Sequence, residues 1–185
     1  MILASGSPQR RAILEALGVE FEVRVTDVVE VDEGPPAAVA RENALRKALA
    51  ARHGDGELIL GVDTLVATDL EIWGKPPNEA AARETLRRLS GRTHDVTSGF
   101  AVVAPGGQVT AGEDRTLVTF RELDDRIIDW YVAAGEWEGR AGGYAIQGRG
   151  GALIRRIEGD YLNVVGLPVG AIADAVGGLL IASRP

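Results

Sequence analysis

Met1-Ile2-Leu3-Ala4-Ser5-Gly6-Ser7-Pro8-Gln9-Arg10-Arg11-Ala12-Ile13-Leu14-Glu15-Ala16-Leu17-Gly18 begins the chain as strand, tight turn and helix. Met1 to Ala4 is an apolar run of strand length. Ser7-Pro8 then offers an N-cap hydroxyl followed by proline at the first helical position, where a missing N–H breaks no hydrogen bond. Gly18 supplies the usual stop after Leu17. Within the helix, positions 10, 13, 14 and 17 form one stripe, so Arg10 shares a face with Ile13, Leu14 and Leu17. Arg11 falls outside that stripe, four residues before Glu15, and reads as solvated.

Working outward, Phe21 to Val31 alternates as a strand. Pro35-Pro36 starts an alanine-rich helix that runs through Arg52 and closes at Gly54. Leu58 to Thr68 reads as two strand segments around Asp63-Thr64. Asn78 caps a third helix that reaches Ser90. His94 to Ala104 and Val109 to Leu123 flank Pro105-Gly106-Gly107-Gln108, a hairpin signal. A fourth helix follows Asp124-Asp125 and ends by Gly135. Short strands and glycine turns come next, and a last helix runs from Pro168 to Val176 before Gly177-Gly178. Strands and helices mix without strict βαβ alternation. The pattern predicts an α/β domain with a mixed sheet, spanning 1–185 as one domain or as two tightly fused lobes.

Composition narrows the function classes. The 185 residues are 45% hydrophobic and 25% charged, with net charge −7 and no cysteine. Long nucleic acids are held by neutralising many phosphates, which an acidic chain without a basic block does poorly. A small polyanion needs only a few cations gathered in one place. No apolar run approaches the roughly 18 residues of a membrane span, and no secretory leader is visible, so a cytoplasmic protein is expected. Without cysteine there is neither a disulfide framework nor a thiolate metal site. His53 and His94 lack further ligands at zinc spacing. The G-x-S-x-G and P-loop signatures are absent. Trp73, Trp130 and Trp137 are scattered and are expected to be packing residues.

Five groups of residues could carry chemistry. The Ser5-Gly6-Ser7 turn places helix N–H groups, two hydroxyls and Arg10 where an anion could sit. Asp63 follows the apolar run Leu58 to Val62, a setting for a placed carboxylate, although Asp-Thr after a strand can also be a plain turn. Lys47 lies beside Ala40, Ala44, Ala48 and Ala51, and is either snorkelling or aimed into a site. Lys75 is held between Gly74 and Pro76-Pro77, as a phosphate-binding cation or an ordinary turn lysine. Glu30, three residues before Glu33, is either a second metal carboxylate or one more acidic loop residue.

Each signal is weak alone, but their order is specific. Leu3-Ala4-Ser5-Gly6-Ser7-Pro8-x-Arg10, Leu17-Gly18, Lys47-Ala48, Gly61-x-Asp63-Thr64, Gly74-Lys75-Pro76 and Leu89-Ser90-Gly91-x-x-His94 together resemble the Maf-like nucleotide pyrophosphatases. Ala141-Gly142-x-Tyr144-x-Ile146-Gln147-Gly148 and Val164-Val165-Gly166-Leu167-Pro168 continue the resemblance almost to the end. It implies a two-lobed, Maf/ITPase-like α/β fold with a strongly curved mixed sheet and an active-site cleft between lobes. It further implies hydrolysis of a nucleoside triphosphate to monophosphate and pyrophosphate with Mg²⁺ or Mn²⁺, in a cytoplasmic protein that is often a homodimer.

By the same resemblance Asp63 matches the catalytic carboxylate, Ser5, Arg10, Lys47 and Lys75 match the residues that bind substrate phosphates, and Glu30 falls where the family has a further acidic residue; Glu30 and Asp63 together are expected to hold the metal. Three positions bear on base choice. Members acting on dTTP and UTP carry arginine, threonine and glutamine there, and this chain has Gln9, Thr64 and Gln147. Thr64 and Gln147 agree with that set and Gln9 departs from it. Gln9 also lacks the tryptophan usual in members acting on 7-methyl-GTP. The alternatives to a dTTP/UTP enzyme are a 7-methyl-GTP-type pyrophosphatase and a non-catalytic nucleotide-binding regulator of cell division.

Overall fold

A computed structural model describes residues 1–69 and 71–180. The last residues of the expected 1–185 domain, 181–185, lie outside that range. Seven strands are hydrogen-bonded in the order β2-β1-β3-β5-β6-β7, with β4 added to β3. They are β1 (Ile2–Leu3), β2 (Glu22–Val23), β3 (Ile59–Thr68), β4 (Glu71–Trp73), β5 (Thr93–Val103), β6 (Val109–Phe120) and β7 (Ile154–Glu158). Strands β2 and β3 run parallel to β1, whereas β4 is antiparallel to β3 and β7 to β6. The sheet is therefore mixed, as the absence of βαβ alternation predicts. The helices are α1 (Pro8–Ala16), α2 (Pro36–Ala50), α3 (Glu79–Leu89), α4 (Asp125–Val132), α5 (Tyr161–Val165) and α6 (Val169–Ala175).

The chain divides into two compact units. One comprises Met1–Thr64, Ser98–Asp114 and Gly166–Pro185; the other comprises Leu65–Thr97 and Arg115–Val165. In the first, α2 packs its buried Ala40, Ala44 and Ala48 on the sheet. A Cβ on Gly61 of β3 would stand 2.1 Å from the Ala44 carbonyl oxygen, and one on Gly99 of β5 would stand 2.3 Å from the Ala40 carbonyl carbon. Alanine on the helix and glycine on the strands thus let the backbones approach to a distance that larger side chains forbid.

The second unit has an aliphatic and aromatic core that includes Val66, Leu86, Leu89, Phe120, Ile128, Tyr131, Trp137, Tyr144 and Leu153. Helix α3 starts where Asn78 caps it, the Asn78 side chain accepting from the Ala81 N–H at 2.9 Å. Asp124 caps α4 in the same way.

Three local expectations need correction. Asp63-Thr64 does not separate two strands, because β3 runs unbroken through both residues. The strand expected over Phe21 to Val31 shrinks to two residues, and residues 24–35 have no regular structure, so Glu30 sits on a loop rather than at a strand end. Trp130 is not a packing residue: it is 46% exposed, with the Arg149 guanidinium 5.7 Å above its ring. Trp137 is buried, and Trp73 lies under Arg88 at 4.2 Å.

Candidate active site

The first unit builds two adjoining side-chain clusters. One grows from the turn between β1 and α1. Ser7 is the N-cap, its backbone extended (φ −64°, ψ 119°), and its Oγ accepts from the Arg10 N–H at 3.5 Å. The helical stripe turns Arg10 inward, leaving it only 8% exposed, while Arg11 stays in solvent. A buried guanidinium must have its donors met. Arg10 Nε donates to the Gly166 carbonyl at 2.8 Å, Nη1 to Ser5 Oγ at 2.8 Å and Nη2 to Thr64 Oγ1 at 3.0 Å. Thr64 Oγ1 also lies 2.8 Å from Ser98 Oγ and 3.3 Å from the Gly166 carbonyl. Gln9 borders the same turn, its Oε1 accepting from Ser7 Oγ at 3.1 Å.

The other cluster centres on Asp63, which is 7% exposed in the middle of β3. A carboxylate buried in such a strand is costly unless it has partners. Lys47 Nζ donates to Asp63 Oδ1 at 2.7 Å and reaches Glu30 Oε1 at 2.6 Å. Asn43 Nδ2 donates to Asp63 Oδ2 at 3.2 Å. Both partners come from α2, one turn apart, and the close seating of α2 over Gly61 brings them within reach. The Lys47 side chain is 14% exposed, so it is aimed inward rather than snorkelling.

The clusters are coupled through charge. Burial lowers the Arg10 pKa from its ordinary value, and the negative charges of Asp63 and Glu30 oppose that shift. Arginine remains cationic throughout the working range. The result is a partly buried arrangement of two cations, two carboxylates and four hydroxyls at the N-terminal end of a helix. Such a set can bind phosphate oxygens and present a carboxylate to a nucleophile.

The donor set also fits a hard divalent cation. Glu30 and Asp63 converge on a single nitrogen, and Mg²⁺ asks for one or two carboxylates, with waters and substrate phosphates completing its octahedron. Among the described residues no three His, Asp or Glu side chains form a cluster able to hold a metal, so most other ligands would be water and phosphate.

A sequence model of the family described as Maf-like protein matches residues 1–178. The chain belongs to the Maf-like protein family. It is 46% identical over 172 residues to a protein named dTTP/UTP pyrophosphatase from Bacillus cereus strain AH820, covering 91% of this chain and 90% of that protein. A Bacillus anthracis protein of the same name matches with the same identity and coverage. Among solved structures, a nucleoside-triphosphatase / dITP/XTP pyrophosphatase from Mycobacterium abscessus aligns at TM-score 0.45 and 23% identity, over 66% of this chain and 74% of that one.

Of the Maf-like motif residues, Ser5, Gln9, Arg10, Glu30, Lys47, Asp63 and Thr64 all belong to the first unit. Lys75 and Gln147 belong to the second, and both are exposed. Lys75 follows Gly74, whose carbonyl accepts from the Gly142 N–H at 3.2 Å. His94 is a core residue there, with Nε2 2.8 Å from the Tyr144 hydroxyl and the Phe120 ring packed edge-on at 5.0 Å. Three participants carried no weight in the sequence reading of the site: Asn43, Ser98 and the Gly166 carbonyl. Asn43 had a legible signal, since it lies four residues before Lys47 on the same alanine-lined stripe. Gly166 stands in the Val164 to Pro168 block of the resemblance, but nothing in the sequence pointed to its carbonyl, and Ser98 had no signal, because only the fold brings them to Thr64 and Arg10.

Proposed function

We propose that the protein hydrolyses nucleoside triphosphates to the monophosphate and pyrophosphate, with dTTP and UTP preferred. The observation that carries this reading is the buried Asp63 carboxylate, bonded to Lys47 and Asn43 beside Glu30 and adjoining the Arg10 turn. The names of relatives at 46% identity support the substrate class.

Phosphoryl transfer asks mainly for positioning and neutralised charge. Lys47 and Arg10 supply fixed cations for the phosphate oxygens, and the Ser5-Gly6-Ser7 turn adds helix N–H groups and hydroxyls. Asp63 orients the attacking water and accepts its proton. The bond between the first and second phosphates breaks, the water oxygen goes to phosphorus, and pyrophosphate leaves. A divalent cation held by Glu30 and Asp63 would supply Lewis-acid stabilisation of the phosphate charge. For Lys75 as a further phosphate contact, and Gln147 as a contact to the base, the support is family resemblance and solvent exposure. Thr64 and Gln9 complete the proposed base-selecting set. A cytoplasmic homodimer is likewise proposed from the resemblance.

Pyrophosphate release by purified protein with Mg²⁺ or Mn²⁺ tests the proposal, run across dTTP, UTP, GTP and 7-methyl-GTP. Fastest release from dTTP and UTP is expected. Preference for 7-methyl-GTP would reassign the base pocket, and nucleotide binding without release would make the site a sensor.

A further inference from the structure

Asn43 is 1% exposed and uses its whole side-chain amide. Oδ1 accepts from the Val31 N–H at 2.7 Å, while Nδ2 donates to the Val31 carbonyl at 2.9 Å and to Asp63 Oδ2 at 3.2 Å. These partners fix the amide's orientation. Turned over, its oxygen would face a carbonyl and a carboxylate, and its NH₂ would face an N–H. One side chain therefore joins the carboxylate on β3 to the backbone of the loop that carries Glu30.

The neighbouring bonds follow the same plan. Arg46 Nη1 donates to the Val29 carbonyl at 3.1 Å, and Lys47 meets Glu30 itself. Three consecutive loop residues are thus held by three residues of α2. Asn43 is the buried member of the three and the one that also touches Asp63.

We propose that Asn43 is a positioning residue for pyrophosphate release. It fixes Asp63 through Oδ2, turning Oδ1 toward the charged groups, and it sets where Glu30 stands relative to Asp63. The proposal rests on reading Asp63 and Glu30 as the reacting carboxylates. Removing the amide lets both drift, and a misplacement near 1 Å can cost about a hundredfold in rate.

The test compares Asn43→Ala, Asn43→Asp, Val39→Ala and Asp63→Asn in pyrophosphate-release kinetics, with thermal unfolding measured for each. Val39 is buried on the same helix but meets neither carboxylate in the bonds described, so its truncation controls for lost stability. Asn43→Ala should lower kcat about tenfold to a hundredfold with KM within about threefold of wild type. Asn43→Asp should fall further, because it sets a second carboxylate against Asp63. Val39→Ala should lower Tm with kcat within about twofold. If Asn43→Ala unfolds, Asn43→Ser takes its place. An unchanged kcat at position 43, or an equal kcat loss in Val39→Ala, overturns the proposal. If Asp63→Asn keeps full turnover, the carboxylate reading fails first; if it is inactive while Asn43→Ala is not, only the role of Asn43 falls.

Discussion

At residue 63 the structure sets a carboxylate at the end of a buried run of β3, Ile59 to Val62, and it is the partners that make the charge tolerable. Asp63→Asn keeps the shape and most hydrogen-bonding capacity but removes the charge that Lys47 meets. Turnover is expected to disappear in a pyrophosphate-release assay, while nucleotide affinity measured by calorimetry persists within about tenfold. The two arginines at the start of α1 make a sharper comparison, since they are adjacent in sequence and differ in burial. Arg10→Ala leaves Ser5 Oγ, Thr64 Oγ1 and the Gly166 carbonyl short of a donor and deletes a buried cation. Its kcat/KM should drop about a hundredfold or more, and that of Arg11→Ala should stay within about twofold. Equal losses would show that helical facing does not decide which arginine serves the site.

Among elements, α2 matters most, because it delivers Asn43 and Lys47 to β3 and holds the Glu30 loop. Its seat depends on Gly61, where a Cβ would meet helix backbone at 2.1 Å, a contact no rotamer change can relieve. Gly61→Ala should cost about 1–3 kcal/mol or more in stability and also lower kcat, since α2 must lift away from Asp63. Asn78→Ala provides the contrast. Losing the α3 cap should cost about 1 kcal/mol, read by urea unfolding, with kcat unchanged. The same helix explains two sequence expectations that did not hold. Aspartate disfavours strand locally, so β3 was expected to break at Asp63-Thr64; from outside the strand Lys47 meets that carboxylate with opposite charge and Asn43 with a hydrogen bond. Phe21 to Val31 alternates like a strand, yet after Arg24, whose N–H still donates to the Leu3 carbonyl, the chain leaves the sheet edge, and Val29, Glu30 and Val31 are bonded to α2 side chains instead.

For the whole molecule, acid should weaken the fold in two windows, each assigned to one compact unit. In the second unit burial holds the His94 pKa down at about 4, opposed by the charge of Asp95, against an ordinary value of 6.5. Between those values the unfolded chain takes a proton that the folded protein refuses, so stability is lost as pH falls from 6.5 toward 4. The loss is on the order of 3 kcal/mol. His94→Gln should flatten urea-unfolding free energies over that range. In the first unit Glu57 is lowered from 4.5 to about 2, chiefly by the His53 N–H and then by Arg24. Its contribution is present above pH 4.5 and is lost as pH falls toward 2, so Glu57→Gln should lower stability above pH 4.5 and flatten its pH dependence only in that lower window.

Read alone, the sequence established the elements whose signals are local: the Ser7-Pro8 helix start, the Asn78 cap, the helix after Asp124-Asp125, the hairpin at Gly106-Gly107 and the alanine stripe of α2. It also determined which arginine of α1 is buried, because helical periodicity is a property of neighbours along the chain. Motif order marked Ser5, Arg10, Lys47 and Asp63 as candidates and the resemblance added Glu30, while Lys47 stayed open to a snorkelling reading until its carboxylate partners were seen. It took the folded structure to show that one unbroken strand carries Asp63, that Glu30 rides a loop, and that Asn43, Ser98 and the Gly166 carbonyl are bonded to candidate site residues. Those facts rest on contacts between residues 12 to 156 positions apart. Such contacts form only where packing has already brought backbones together, and no local propensity encodes them.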